Sequence, residues 1–96
     1  MRTRSQKIKE TVRLFKIFSD ETRLRIIALL IEDEFCVQDI SETLHMSQSS
    51  ISHQLKLLRD MNVVEARREG KHMFYALKDA HIKTIFQMGY DHANEC

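Results

Sequence analysis

Proline and tryptophan are absent from the 96 residues, and glycine occurs only twice, as Gly70 and Gly89. Without a proline-rich or glycine-rich stretch or a repeat, nothing in the chain marks a linker or a second domain. No apolar run approaches the roughly 18 residues that a membrane-spanning helix needs. The two cysteines, Cys36 and Cys96, are too few for a disulfide framework. We therefore expect one soluble domain over residues 1–96, in the cytoplasm, with no membrane partner.

Charge is nearly balanced, at a formal net charge of +1, but it is unevenly distributed. Glu10 is the only acid among the first sixteen residues, which include six bases: Arg2, Arg4, Lys7, Lys9, Arg13 and Lys16. A local basic patch can bind a polyanion, although clusters of this kind usually form a solvated helix face. Composition therefore leaves the function open. Because a chain this short buries a small fraction of its surface, oligomerisation is an expected source of additional core.

Apolar residues recur at helical spacing through the first two thirds of the chain. They predict four helices, over residues 6–18, 21–31, 37–44 and 48–61. Ser19 and Asp20 offer a cap for the second of these helices. The last two helices are joined by a three-residue turn, so that about residues 37–61 form a helix-turn-helix.

Two segments of β-branched, aromatic or alternating residues follow, at residues 63–68 and 72–77. Between them Glu69-Gly70-Lys71 supplies the glycine that a tight hairpin turn favours. Asp79 can then cap a last helix that runs to about Glu95. The expected fold is mainly α with a two-stranded β-hairpin, which is the winged helix-turn-helix layout.

In that layout the second helix of the pair enters the DNA major groove, and the wing, here about residues 63–77, reaches neighbouring backbone. The predicted reading helix begins with side chains that suit phosphates and base edges, namely Ser47, Gln48, Ser49, Ser52, His53 and Lys56. The wing adds a cationic cluster of Arg67, Arg68 and Lys71. Each residue alone is equally well explained as a helix cap or a solvated surface group. Their joint placement predicts a face that binds double-stranded DNA.

Three segments carry a family likeness: Ser19-Asp20-Glu21-Thr22-Arg23-Leu24-Arg25-Ile26, Glu34-Phe35-Cys36-Val37-Gln38-Asp39-Ile40 and Ser47-Gln48-Ser49-Ser50-Ile51-Ser52-His53-Gln54-Leu55. With them the chain strongly resembles the ArsR/SmtB family over nearly its entire length. The resemblance implies a small homodimeric winged-helix repressor. Such a repressor binds operator DNA in the ligand-free state and releases it when a metal or another inducer binds.

The last predicted helix carries four residues with metal-binding side chains: Asp79, His81, His92 and Glu95. The two histidines lie roughly 16 Å apart along the helix axis, too far to share one ion. Eleven residues nevertheless return to within about 20° of the same face, so the histidines belong to one row. If two such helices run antiparallel across a two-fold axis, Asp79 and His81 of one subunit meet His92 and Glu95 of the other. The spacing therefore predicts two inter-subunit sites.

Two nitrogen and two oxygen ligands in a closed tetrahedral shell suit Zn²⁺, with Co²⁺ as a surrogate in vitro. Ni²⁺ fits less well because it more often takes additional ligands. The pattern also resembles the zinc-sensing branch of the family, which uses an inter-subunit site on its final helix. In the repressor so implied, zinc lowers DNA affinity and derepresses metal-homeostasis genes. The backbone near Asn62 is a candidate receiver for a hydrogen bond from metal-bound His92, which would relay the signal.

Alternatives remain open on the sequence. Asp79 can be a helix cap alone, since isolated terminal carboxylates and imidazoles are usually solvated. Cys36 stands where thiolate-using relatives carry Cys-Val-Cys, but Gln38 replaces the second cysteine. A thiol-switched repressor would use Cys36 or Cys96, and a constitutive one would have no switch. A small zinc hydrolase needs an open water position, which four protein ligands do not leave, so an enzyme is not expected.

Overall fold

In the computed structural model, which describes residues 1–95, five helices and three short strands follow one another along the chain. The helices are α1 (Arg4–Phe18), α2 (Glu21–Glu32), α3 (Val37–Leu44), α4 (Gln48–Asp60) and α5 (Ala80–Ala93). The strands are β1 (Phe35–Cys36), which precedes α3, and β2 (Val64–Glu69) and β3 (His72–Leu77), which lie between α4 and α5. The expected mainly α fold with a β-hairpin is confirmed. Among the described residues, none of the helices is both long and apolar enough to cross a bilayer.

The core lies where α2, α3, α4 and the hairpin meet. Its most deeply buried large side chains are Ile26, Ile27, Ile40, Ile51, Leu55, Leu58, Val63 and Val64. Within residues 1–95 no polar or charged residue is buried. Burial of these apolar groups is the main stabilising term, and it leaves the polar faces of α4 and α5 at the surface.

Local hydrogen bonds hold the turn between α3 and α4. His45 adopts a left-handed conformation, with φ of 55°, and donates its backbone N–H to the Ser41 carbonyl. The Ser41 hydroxyl donates in turn to the Met46 carbonyl. These bonds satisfy groups that the end of α3 leaves open. The predicted helix-turn-helix is therefore present, with α4 ending at Asp60, one residue earlier than expected.

The hairpin pairs β2 and β3 antiparallel, from Val64 opposite Leu77 to Glu69 opposite His72. Gly70 at its tip has φ of +62°, a conformation that disfavours side chains with a Cβ. A third strand extends the expected two-stranded sheet: β1 pairs with the other edge of β3, in the order β1-β3-β2. Two residues are too few to show an alternating pattern, so the sequence did not predict this strand.

Two helix ends differ from the prediction by two residues. Helix α1 begins at Arg4 rather than residue 6, because Thr3 and Gln6 form a reciprocal capping box. Helix α5 ends at Ala93 rather than near Glu95. Asn94 stops it by donating its side-chain amide to the Tyr90 carbonyl at 2.8 Å. Glu95, predicted to lie on the helix, follows its end instead.

Candidate DNA interface and candidate metal centre

The outer side of α4 carries most of the residues predicted to read DNA. They span about 140° of the helix circumference, and all are exposed: Gln48, Ser49, Ser52, His53 and Lys56. The opposite side is anchored in the core by Ile51, Leu55 and Leu58, each 0% exposed. Because these anchors fix the helix, its outer side is a pre-formed polar surface of the kind that fits a major groove.

Several of the predicted DNA contacts already have partners within the chain, among them Ser47 and Lys56. The Ser47 hydroxyl caps α4 by accepting the Ser50 N–H at 3.1 Å, and it donates to the Ser50 hydroxyl at 2.9 Å. Lys56 Nζ lies 3.2 Å from a carboxylate oxygen of Asp60, one turn further along α4. An exposed ion pair of this type is weak, so a phosphate can replace the carboxylate. Ser47, in contrast, primarily stabilises the helix start.

Arg67 is held inside the wing rather than left free at its tip. Its Nε lies 3.0 Å from both carboxylate oxygens of Glu34, and its Nη1 pairs with Glu69. The guanidinium also lies 5.1 Å from the centroid of the Phe74 ring. The hydrogen bond from Arg67 lowers the pKa of Glu34, and the same bond raises the pKa of Arg67. Arg67 therefore braces the sheet from β2 to the residue before β1, with its charge largely compensated.

The other two wing cations, Arg68 and Lys71, are exposed and have no carboxylate partner within residues 1–95. Side chains alternate along a strand, so Arg68 shares the face of β2 that carries buried Val64. That face packs toward α4, and Arg67 lies on the opposite one. Arg68 and Lys71 therefore carry the uncompensated charges of the wing within residues 1–95, and their contact with phosphates stays a prediction.

Asp79 and His81 come together at the start of α5. Asp79 caps the helix by accepting the His81 N–H at 3.0 Å, and the same oxygen lies 3.5 Å from His81 Nδ1. Both side chains are exposed. The second carboxylate oxygen of Asp79 and Nε2 of His81 make no hydrogen bond within residues 1–95. One carboxylate and one imidazole are thus presented side by side, and both are ligand types that zinc accepts.

His92 and Glu95 lie at the other end of α5, both exposed, His92 in the last turn and Glu95 beyond the helix. Within residues 1–95 no three His, Cys, Asp or Glu side chains come close enough to hold a metal ion. A single chain therefore brings together the first two predicted ligands, Asp79 and His81, but does not bring the second two to them.

An exposed apolar face connects α5 with α1. At about 100° per residue, His81, Ile85, Met88 and His92 fall within about 60° of one another on α5, and Met88 is 69% exposed. An open groove of about 510 Å³ runs beside this row, lined mainly by Phe15, Phe18, Leu24, Ile85, Phe86 and Tyr90. On α1 the exposed apolar residues are Ile8, Val12 and Phe15. A contiguous apolar surface on a small chain is typical of a protein interface.

The positions of the other residues singled out in the sequence, Asn62, Cys36 and Cys96, do not test their predicted roles. Asn62 follows α4 with φ of 58°, is exposed, and donates its N–H to the Arg59 carbonyl at 3.0 Å. Its role as a relay stays a prediction. Cys36 is 9% exposed and pairs with Phe74 across β1 and β3. Cys96 lies outside the described residues.

Sequence reasoning missed a contact between α2 and α4. Arg23 Nη1 donates to Gln54 Oε1 at 3.3 Å, across 31 positions of sequence. Gln54 belongs to the predicted reading helix but is half-buried, beside the core-facing side that Ile51 and Leu58 occupy. Its place next to that apolar side was the only sign in the sequence that it serves the interior rather than DNA.

Comparisons with known proteins agree with this geometry. Residues 20–66 match the family described as "Bacterial regulatory protein, arsR family". The arsenical resistance operon repressor of Escherichia coli is 42% identical over 86 residues, covering 88% of this chain and 73% of its own length. The SmtB transcriptional repressor homolog of Synechocystis is 33% identical over 87 residues, covering 91% of this chain and 66% of its own length.

A solved homodimeric winged helix-turn-helix DNA-binding domain from Mycobacterium bovis superposes with a TM-score of 0.90 at 27% identity. It covers 99% of this chain, and this chain covers 89% of it. The family and these relatives are transcriptional regulators and not enzymes, which removes the zinc hydrolase alternative. The chain belongs to the ArsR family of winged helix-turn-helix DNA-binding regulators.

Proposed function

We propose that two copies of this chain form a homodimer whose apo state binds operator DNA, and that Zn²⁺ at two inter-subunit sites lowers this affinity. Metal-homeostasis genes are derepressed as a result. The relatives named as an arsenical resistance repressor and as an SmtB repressor homolog support a metal-responsive repressor, and the homodimeric Mycobacterium domain supports the dimer. The Escherichia coli repressor is named for arsenic and not for zinc, so the choice of zinc rests on the ligands of α5.

The main support for this proposal is the row on α5, the four residues His81, Ile85, Met88 and His92 that share one face of the helix. A two-fold axis that crosses an antiparallel helix pair between residues 86 and 87 sets His81 against the partner's His92. The same axis sets Ile85 against the partner's Met88, which buries a side chain that is 69% exposed in the single chain. One symmetry operation thus pairs ligands with ligands and apolar groups with apolar groups.

Each site would be held by Asp79 and His81 of one subunit with the partner's His92 and Glu95. Bound zinc would supply a cross-link between subunits in a closed shell of two imidazoles and two carboxylates. The chain prepares half of this shell, because the cap at Asp79 fixes the first turn that carries His81. Co²⁺ would substitute for zinc, and Ni²⁺ would fit less well.

Metal binding would lower the affinity for DNA, and DNA binding the affinity for metal, because each favours a different arrangement of the two subunits. Zinc would hold the two α5 helices in one register, whereas operator DNA selects the spacing of the two α4 helices. In the metal-bound form we assign the backbone near Asn62 as the receiver of the second ring N–H of His92.

Fluorescence anisotropy with purified apo protein tests the proposal. The probe is a labelled duplex that the apo protein selects from a random pool, titrated with and without Zn²⁺, Co²⁺ and Ni²⁺. Zinc should weaken binding by at least fivefold, which is the lower end of typical allosteric couplings. His92→Ala should keep the apo affinity and lose the response.

Asp91→Asn is the matched control for His92→Ala. Asp91 is the exposed neighbour of His92, lies about 60° to 120° around the helix from the four residues of the row, and accepts a hydrogen bond from the Gln87 amide at 3.1 Å. This variant should respond to zinc as the wild type does. A dimer that binds zinc with unchanged operator affinity would contradict the proposal.

A further inference from the structure

Arg23, in the first turn of α2, joins three helices. Its Nε donates to the Ile17 carbonyl at 3.0 Å and its Nη2 to the Lys16 carbonyl at 3.3 Å, both at the end of α1. Its Nη1 donates to Gln54 Oε1 in α4 at 3.3 Å. The Arg23 side chain is therefore the direct polar link between the end of α1 and the reading helix.

The chemistry of this link favours a fixed geometry. The last carbonyls of a helix carry the negative end of its dipole, so a guanidinium there is favourable. The planar donor fork of arginine holds its acceptors in set directions, unlike the rotating ammonium of lysine. Gln54 lies about 160° around α4 from Ser52, so its bond does not compete with groups on the outer side of the helix.

The same turn of α2 also touches the apolar face. Leu24, next to Arg23, lines the groove together with Phe15 and Phe18 of α1 and Phe86 and Tyr90 of α5. A shift of α5 against its partner would act on this groove, and hence on the end of α1 that Arg23 holds. Packed side chains followed by a hydrogen bond form a continuous physical path from α5 to α4.

We propose that Arg23 is a positioning residue that couples the α1–α5 face to the reading helix through Gln54. This role rests on the proposed zinc response, because it describes how zinc bound at α5 changes the placement of α4. Breaking the bond to Gln54 should therefore leave zinc binding and apo operator binding in place and uncouple the two.

Gln54→Met and Gln54→Glu form the decisive pair. Methionine keeps the length of the side chain and removes the acceptor, whereas glutamate keeps an acceptor for Arg23. Neither change removes the bonds of Arg23 to the end of α1, so both variants should fold. The measured quantity is the ratio of the operator Kd with zinc to the Kd without zinc, in which any charge effect on DNA binding cancels.

Gln54→Met should lower this ratio about fivefold relative to the wild type, within the range that residues on a coupling path produce. Gln54→Glu should keep the wild-type ratio. Zinc affinity, measured by competition with a zinc-binding dye, should stay within about twofold in both, since Gln54 belongs to α4 and the proposed ligands to α5.

Arg23→Gln should lower the ratio as Gln54→Met does, and Arg25→Gln is its matched control. Arg25 loses the same charge on the same helix, but it is exposed and bonds only to Glu21 within residues 1–95. A wild-type ratio in Gln54→Met would overturn the role of Arg23 alone. A wild type with no zinc response would overturn the proposed function, and this role with it.

Discussion

At the scale of single residues, Arg67 shows that the type of a side chain does not determine what it binds. The sequence places it with Arg68 and Lys71 as a phosphate-binding cluster, yet its guanidinium is bonded to Glu34 and Glu69. Glu34 lies 33 positions away and comes near only because β1 joins the far edge of β3. A pairing made by a two-residue strand leaves no periodic signal, so it could not be predicted locally.

The bond between Arg67 and Glu34 predicts a pH dependence. Glu34 has a pKa below its ordinary 4.5 in the folded chain, so the pair stabilises the fold above that pH and the stabilisation is lost as pH falls through the lower folded value. In thermal unfolding, Glu34→Gln should lower the Tm near neutral pH. The difference from the wild type should shrink as the pH falls below 4.5, where the lowered pKa of Glu34 is approached.

An Arg67→Gln background provides the control, because Glu34→Gln should cause little further change there at any pH. A Tm difference that persisted unchanged at low pH would show that Glu34 stabilises the chain by another route.

Arg68 and Lys71, the wing cations without a carboxylate partner within residues 1–95, predict how the DNA affinity depends on salt concentration. Each phosphate contact contributes about 0.9 to the slope of log affinity against log salt concentration. The proposed homodimer carries two copies of each cation, so the double variant Arg68→Gln/Lys71→Gln should reduce that slope by about 3.6, measured by anisotropy on the selected duplex. Arg67→Gln should change it by less than half as much, since its charge is compensated by Glu34 and Glu69.

Equal slopes for Arg67→Gln and Arg68→Gln would contradict this assignment of the wing cations. Lys78→Gln at the base of the wing, where Lys78 pairs with Glu65 at 3.7 Å, is a suitable reference variant.

At the scale of elements, apolar periodicity predicted α1 to α4, a capping residue predicted α5, and caps decided several of the helix ends. Asp20 and Asp79 cap α2 and α5 as expected. The start of α1 was predicted two residues late because periodicity begins at Ile8, although Thr3 and Gln6 already form a capping box. The apolar pattern of a sequence therefore predicts the middle of a helix, whereas side-chain hydrogen bonds determine the residues at which it begins and ends.

Two variants at the start of α5 separate the two roles of Asp79, helix capping and zinc binding. Asp79→Asn keeps an oxygen that can accept the His81 N–H, so stability should change by less than about 0.5 kcal/mol, while the loss of a carboxylate weakens zinc binding. Asp79→Ala removes both functions and should also cost about 1 kcal/mol of stability. Chemical denaturation of the apo protein and dye competition for zinc measure the two effects separately.

If Asp79→Asn bound zinc as the wild type does, Asp79 would be a helix cap only, as the simpler interpretation of the sequence allows. If both variants unfolded at the same denaturant concentration as the wild type, the cap would not contribute to stability.

At the scale of the whole molecule, the single chain leaves two things incomplete. Its ligand pairs are separated along α5, and the apolar residues Phe15 and Met88 remain exposed. Helix geometry predicted the first from the sequence, because eleven residues span roughly 16 Å and return to nearly the same face. The exposed face of α1 could not be predicted, since periodicity identifies apolar residues but does not say which of them the chain itself covers.

Mixing two defective variants tests whether each metal site spans two subunits. Homodimers of His81→Ala and homodimers of His92→Ala each lose a ligand from both sites. In the heterodimer both losses fall in the same site, and the other site keeps its four ligands. After subunit exchange, an equal mixture should therefore regain about one tight zinc site per heterodimer, measured by titration against a zinc-binding dye. Sites built within one chain would stay defective in every species, and the mixture would then bind no more zinc than the separate variants.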